Sequence, residues 1–364
     1  MVLGAPLSTS VIYMASVLVI ACPCALGLAT PLSVMIGINR AASLGILVRN
    51  AEAMEKMPKV KIIALDKTGT LTMGKFSITR IRGDETLRWA ASAEAGSNHP
   101  IALAIVDEAR RRGINVELPS SIDAVDGGII AHIGSNIVAV GNKKIINGMG
   151  ISVDPSIQRD ADAYMGTVIY VILNGELLGF IELRDTIRPE APQVINWLRR
   201  HGIRPVIITG DSEKSAAWVA KELGINDVYS GVSPSEKGDV ISELRRSVGD
   251  GLIAMVGDGT NDAPAMAAAD VGIAMGAGTD IAKEAGDVVL LRNDLTQVAR
   301  LYDISLKTVH NIRFNIVYAF AYNVVLIPLA AGLLGILIRP ELASMAMAMS
   351  SISVTLNSLR LRRA

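Results

Sequence analysis

Residues 61–66 read KIIALD and residues 66–72 read DKTGTLT. The first stretch is a short apolar run that ends on an aspartate, as a buried strand does, and the second turns away at once through a Gly/Thr turn. The pattern recurs in IRPVIITGD, which ends at Asp211, and in GLIAMVGDGTND, which carries Asp258 and Asp262. Amphipathic helical stretches fall near 190–200, 213–223 and 235–246, so strands and helices alternate as in a parallel, doubly wound α/β sheet. Ligands of such sheets gather at the carboxyl ends of the strands, where all three aspartate turns fall. Residues 76–183 break the rhythm with a helical region around 85–112 and short alternating strands such as GIIAHI and NIVAVGN, which reads as an inserted α+β module. No internal repeat or low-complexity segment is present.

The chain has 364 residues, enough for two or three domains, and is 50% hydrophobic with a mean hydropathy of +0.40. That is too apolar for an ordinary cytosolic enzyme, so part of it belongs in a membrane. Lys+Arg and Asp+Glu both number 35, which gives no global charge to attract nucleic acid, and 4% aromatic residues argue against a base-stacking or carbohydrate surface. From Ser8 to Ile38 no charged residue or histidine occurs; as one helix this run would be about 46 Å long against a hydrocarbon core of about 30 Å, so it must tilt, kink or project. Two more uncharged runs, Asn315 to Ile338 and Leu342 to Leu359, flank a short Arg-Pro-Glu turn and read as a transmembrane hairpin. Basic residues mark one side of all three spans: Arg40, Arg49 and Lys56, then Lys307 and Arg313, then Arg360, Arg362 and Arg363. By the positive-inside rule the region from about Arg40 to Arg313 is cytoplasmic. No basic n-region or cleavage site precedes the first span, so no removable signal peptide is expected.

An aspartate at a strand end can attack a γ-phosphoryl group only if its charge and the phosphate's are screened, which calls for Mg²⁺ and a fixed lysine. Candidates for these parts are at hand. Thr209, Gly210 and Asp211 offer a hydroxyl and backbone donors, Lys237 in SPSEKGDV a cation, and GDGTNDAPA (257–265) the carboxylates of Asp258 and Asp262 beside Asn261. Each Asp-Gly alone is an ordinary turn after a strand. Four such elements in this order are not.

These motifs resemble those of the heavy-metal-transporting P-type ATPases, of the copper-exporting subgroup, and the resemblance runs from about residue 8 to the end. It implies a haloacid dehalogenase-like phosphorylation domain in two parts (51–75 and 184–306), an inserted nucleotide-binding domain (76–183), a first transmembrane helix with a cytoplasmic extension (1–50) and two more transmembrane helices (307–364). Asp66 would become the aspartyl-phosphate, with Lys67, Thr209, Asp211 and Lys237 around the phosphoryl group. Asp66, the Thr68 carbonyl and Asp258 would hold Mg²⁺, and Asn261 and Asp262 would close the site. EAGSNHPIALAI resembles the family's adenine-binding segment, which assigns Glu94 and His99 to ATP; elsewhere a lone His-Pro is usually a structural turn. AVDGGIIAHIGSNIVAVGN resembles its glycine stretch, with Gly128 and Gly141 at matching positions. Asp126 stands where the first glycine of a Gly-x-Gly pair is usual, so either Gly127 takes over by a local shift or ATP affinity is reduced.

Both cysteines lie in VIACPCALGLATP (19–31). Side chains at i and i+2 of a regular helix face different ways, but Pro23 lacks an N–H and forces the helix open, which lets Cys22 and Cys24 swing toward one point. Soft thiolates there select Cu(I) or Ag(I); the alternative is two small buried hydrophobes in a kinked span. In the copper subgroup the other two spans carry Tyr322, Asn323, Met347 and Ser350 or Ser351 at matching positions.

The resemblance thus implies an enzyme, a P-type translocase for Cu(I) with ATP, Mg²⁺ and the transported ion as its small molecules. It also implies membrane lipid as surroundings, a cytosolic chaperone as a source of copper, and the plasma membrane of a prokaryote as location. No Thr-Gly-Glu stretch or actuator domain occurs in these residues. The expectation is a carboxyl-terminal portion whose amino-terminal part is lost or carried on a separate chain, inactive in transport by itself. Two alternatives remain: an Ag(I), Zn²⁺, Cd²⁺ or Co²⁺ pump of the same family, and a non-transporting phosphohydrolase or regulatory fragment. A large inserted module favours the pump, because phosphatases of that superfamily need none.

Overall fold

The computed structural model describes residues 6–258, 260–276, 285–333 and 335–363, so Met1 and Gly259 of the GDGTND stretch lie outside the described residues. A seven-stranded sheet forms the centre, in the order Ile46–Val48, Val288–Leu290, Val271–Met275, Leu252–Gly257, Val60–Leu65, Arg204–Ile208, Asp227–Tyr229. Six strands run parallel. Ile46–Val48 pairs antiparallel with Val288–Leu290, so the sheet is mixed at one edge and not purely parallel as the strand–helix alternation suggests. That edge strand follows the first membrane helix after a short turn at Leu44 and Gly45, where Gly45 takes φ 80°. Side chains of Val60–Leu65 alternate between two layers, Ile63 and Leu65 on one side and Ile62 and Ala64 on the other, all inaccessible to solvent. Helices Ala191–Arg200 and Glu213–Leu223 cover the first face; Lys237–Ser247 and Ala263–Ala268 cover the second. The chain order reverses between Val60–Leu65 and Leu252–Gly257, which puts a topological switch point at the ends that carry Asp66 and Asp258.

A second, six-stranded antiparallel sheet makes the inserted module, in the order Thr72–Arg82, Glu176–Ile187, Thr167–Leu173, Asn136–Gly141, Gly128–Ile133, Ser121–Val125. Asn174 and Gly175 both take positive φ, 50° and 87°, the hairpin turn that an Asn-Gly pair favours. Helices Thr86–Ala93 and Pro100–Arg111 pack on one face, and the helices starting at Lys143 and Pro155 on the other.

Among the described residues three helices are long and apolar enough to cross a membrane: 7–43, 296–330 and 340–362. The first is two helices, Leu7–Ile20 and Cys24–Ser43, opened between them as Pro23 requires. The second ends at Ala330, eight residues before the uncharged run does. Pro328 and Gly332 (φ 87°) terminate it, and Pro340 starts the next, so the connection is longer than the Arg-Pro-Glu turn. A hydrogen-bonded knot ties the three together: Ser33 Oγ to Asn311 Oδ1 (2.9 Å), Asn315 Nδ2 to Ser358 Oγ (2.9 Å) and Asn357 Nδ2 to Asn315 Oδ1 (2.8 Å).

Phe180 is fully buried in the inserted module, edge-on to Tyr170 with centroids 6.3 Å apart. Phe180→Ala should destabilise that module by about 3–5 kcal/mol, read as a lower midpoint in thermal unfolding. An unchanged midpoint would contradict this packing.

Candidate functional site

Asp66 is delivered to the switch point by its own strand, and its N–H bonds to Val256 O at 2.9 Å across the sheet. The next five residues form a tight turn in which Gly69 has φ 77°, and a Cβ on it would lie 1.6 Å from Asp258 Oδ2. Only glycine fits there. Lys237 Nζ, buried at the start of its helix, bridges Asp66 Oδ1 and Asp262 Oδ1 at 2.6 Å each. Asp262 Oδ2 also accepts from the N–H of Asp258 (3.2 Å). On the other side Lys67 Nζ meets Asp211 Oδ2 and Ser215 Oγ at 3.0 Å. The hydroxyls of Thr68 and Thr209 donate to the same Asp211 oxygen at 3.0 and 2.9 Å. Gly210 links Thr209 to Asp211, and Asn261 is exposed in the short turn Thr260–Asp262.

One oxygen from each of Asp66, Asp258 and Asp262 lies within 4.8 Å of the others. Burial first, then the Asp262 and Asp258 carboxylates, push Asp66 up to about 7 against the pull of Lys237. Asp258 is pushed up to about 6 by burial and by Asp262. Burial lowers Lys237, but Asp66 and Asp262 outweigh it and its pKa is raised. Burial likewise raises Asp211, and Lys67 with the two threonines more than reverses this. Crowded hard oxygens whose charges are mutually unfavourable fit a small divalent cation such as Mg²⁺, which would relieve the repulsion.

Several contributors escape a reading of motifs. Arg188 is buried and donates to the carbonyls of Thr70 (2.9 Å), Gly69 (2.6 Å) and Asn293 (2.9 Å), pinning the turn that follows Asp66. Thr72 donates to Lys67 O (2.9 Å) and meets buried Asp185. The one available signal was position: Asp185 and Arg188 stand where the chain returns from the insertion.

In the inserted module Glu94, His99, Gly128 and Gly141 all line one cleft of about 420 Å³, with Ile129 and Ile169 as apolar wall. His99 also caps helix Pro100–Arg111, its Nδ1 accepting from the Ile101 N–H at 3.3 Å, and burial raises the pKa of Glu94. Gly128 and Gly141 pair directly across two strands, and a Cβ on either would lie under 3 Å from the other's backbone. Their smallness therefore serves the sheet itself. Gly127 takes φ 90°, while Asp126 projects into solvent toward Lys144 (3.2 Å).

At the kink of the first span, Cys22, Asn323 and Met347 line a cavity of about 210 Å³ with Pro23 and Phe320. Cys24, Tyr322 and Ser350 are not among its lining residues. Tyr322 packs beside Tyr318, and Ser350 is buried in the third span. The opened turn brings Cys22 and Cys24 together as a disulfide, with Cα atoms 5.5 Å apart. This corrects the picture of two thiolates: neither sulfur is free to be a ligand in this form, and a soft-metal site here would need the reduced pair.

A family model described as haloacid dehalogenase-like hydrolase matches residues 60–270. The copper-exporting P-type ATPase of Legionella pneumophila is 43% identical over 98% of this chain and 50% of its own. The silver exporting P-type ATPase of Salmonella typhimurium is 44% identical over 95% and 43%. The chain thus spans about half the length of such relatives. Among solved structures, a zinc-transporting PIB-type ATPase in its E2.Pi state superposes with TM-score 0.79 at 36% identity, covering 94% of this chain and 56% of that one. The catalytic domain of the CPx-ATPase CopB-B gives 0.61 at 32%, covering 73% and 98%.

Asp258→Asn removes one of three crowded charges and should weaken Mg²⁺ binding by about tenfold or more in isothermal titration, given charge pairs at this separation. An unaltered affinity would place the cation elsewhere.

Proposed function

Because the chain belongs to the haloacid dehalogenase-like hydrolases and, within them, to the heavy-metal P-type ATPases, we propose that it carries the phosphorylation machinery and part of the ion site of an ATP-driven Cu(I) exporter. One observation carries the reading. Asp66, two lysines and three further aspartates converge at a switch point whose chain is interrupted by a module with its own apolar cleft. In this reading ATP sits in that cleft between Glu94 and His99, and the module brings its γ-phosphate to Asp66. An Asp66 oxygen forms a bond to the γ-phosphorus as the bond to the β–γ bridging oxygen breaks, and ADP leaves.

Each neighbour has a part. Lys237 draws Asp66 toward its ionised form and aims it, and Lys67 offers its ammonium to the transferring group. Asp211 accepts the hydroxyl protons of Thr68 and Thr209 and so fixes both residues, while nearby backbone N–H groups receive the phosphate oxygens. Mg²⁺ held by Asp66 and Asp258 would screen carboxylate from phosphate. The transported ion is Cu(I), with Ag(I) served by the same donors: reduced Cys22 and Cys24 and the Met347 thioether are soft, and no histidine or carboxylate lines the cavity among the described residues. Relatives named for copper and silver export support this cargo. The flanking arginines and lysines support a cytoplasmic position for both soluble parts.

Asp66→Asn should abolish acid-stable, hydroxylamine-sensitive labelling from γ-labelled ATP while nucleotide still binds the cleft. Label retained in that variant would remove Asp66 from its role. After reduction of the cysteine pair, Cu(I) titration against a chelator should show binding weakened by about 10² in Cys22→Ser, as loss of a thiolate ligand implies. Equal affinity in both proteins would return the cysteines to packing.

A further inference from the structure

The cleft and the Asp66 site have no lining residue in common: the first is built wholly from residues 94–169, the second from 66–69, 209–215, 237 and 258–262. The module is joined to the rest by the paired strands Thr72–Arg82 and Glu176–Ile187, whose register slips between Thr72 and Phe76, where Gly74 takes φ 64° with open space around it. Such a bulge in a two-stranded neck is a place to bend. Just above it, Arg184 lies between two aromatic rings, 5.0 Å from the centroid of Tyr164 and 5.1 Å from that of Trp218. Tyr164 belongs to the module. Trp218 belongs to helix Glu213–Leu223 of the larger domain. Arg184 Nε is buried with no hydrogen-bond partner, and the guanidinium meets both rings, with a hydrogen bond to the Tyr164 side chain besides. Along the same helix Lys214 donates to Asp162 O of the module, and Ser215 touches Lys67 beside Asp66.

We propose that Arg184, Tyr164, Trp218 and Lys214 form a latch that positions the inserted module with its cleft apart from Asp66, and that this latch must open before phosphoryl transfer. Arg184 is a positioning residue; it acts through the module and touches neither reacting group. The role of the latch in transfer rests on the function proposed above, whereas its existence as a unit does not. Two contacts of different chemistry bridge the same pair of bodies on one side of a bendable neck, so breaking either should loosen both. An ammonium cannot lie flat between two rings as a guanidinium does, so Arg184→Lys should fall between the parent and Arg184→Ala.

The test uses the full chain in detergent, with Trp89→Phe and Trp197→Phe so that emission reports Trp218 alone. Lys214→Ala, which touches neither ring, should raise acrylamide quenching of Trp218 by about twofold as the latch opens as one unit. Arg184→Ala should form phosphoenzyme from Mg-ATP about 3- to 10-fold faster, the factor that one or two exposed cation–π contacts represent, while ADP binds the cleft with unchanged affinity. A merely structural role would weaken ADP binding and slow labelling together. Unaltered quenching in Lys214→Ala, or labelling no faster in Arg184→Ala with ADP affinity intact, overturns the latch. If the parent takes no phosphate onto Asp66, the function proposed above fails, and the quenching result still decides whether the latch exists.

Discussion

A buried ammonium between two carboxylates, Lys237 with Asp66 and Asp262, is the contact on which the rest of the soluble architecture depends. Charges removed from water are tolerated only when paired and hydrogen-bonded, and the desolvation cost rivals the attraction. The arrangement therefore contributes little to stability on balance. What it secures is geometry: three elements distant in the chain, the strand ending at Asp66, the helix opening at Lys237 and the turn at Asp262, must meet within hydrogen-bond distance. Asp258 adds a third carboxylate that Lys237 cannot neutralise, and the raised pKa values of Asp66 and Asp258 express that surplus of negative charge. A site left short of positive charge in this way attracts a divalent cation and, with it, a phosphate.

The insertion interrupts the chain at the most sensitive place available. It departs at Thr72, six residues after Asp66, and returns at Asp185 and Arg188, so both ends of the neck are fastened to the turn that carries the nucleophile. Thr72 holds Lys67 O, and Arg188 holds the carbonyls of Gly69 and Thr70. Arg188 lies below the bulge at 73–75, whereas Asp185 stands opposite Phe76 on its far side, so the Thr72–Asp185 bond spans the bulge and ties its two ends together.

Strands that end in aspartate were legible in the sequence because a buried parallel strand is a continuous apolar run and the Gly/Thr turn after it has few alternatives. The inserted module was legible as a break in rhythm, and the Asn174-Gly175 hairpin as a local turn signal. The kink at Pro23 followed from the missing N–H. Features that depend on partners far along the chain were not visible: the antiparallel edge strand Ile46–Val48, the grip of Arg188 on residues 69, 70 and 293, and the stacking of Arg184. The second membrane helix was misjudged in length because absence of charge marks what a membrane tolerates, whereas Gly332 and Pro340 decide where the helix stops. The opening at Pro23 that brings Cys22 and Cys24 together was legible, but the sequence does not say whether two sulfurs so placed share a metal ion or bond to each other.

One helix reaches both chemistries. Thr296–Ala330 begins within the core of the larger domain, where Leu301 is fully buried and the Tyr302 ring meets Trp197 edge-on at 5.4 Å, and it ends past Asn323 on the wall of the intramembrane cavity. Tyr302 and Asn323 are about 32 Å apart along a continuous helix. The knot at Asn311 and Asn315 lies between them and binds the same helix to Ser33, Asn357 and Ser358 of the other two spans. Side-chain amides and hydroxyls that bond to one another and to helix carbonyls in an apolar surround resist separation, so the three spans are held in register at that depth. A displacement at the Tyr302 end cannot be absorbed by sliding one span past the others there. It must be carried onward as a tilt of the bundle, and the opened turn at Pro23 is where the first span lacks the backbone hydrogen bonds to resist it.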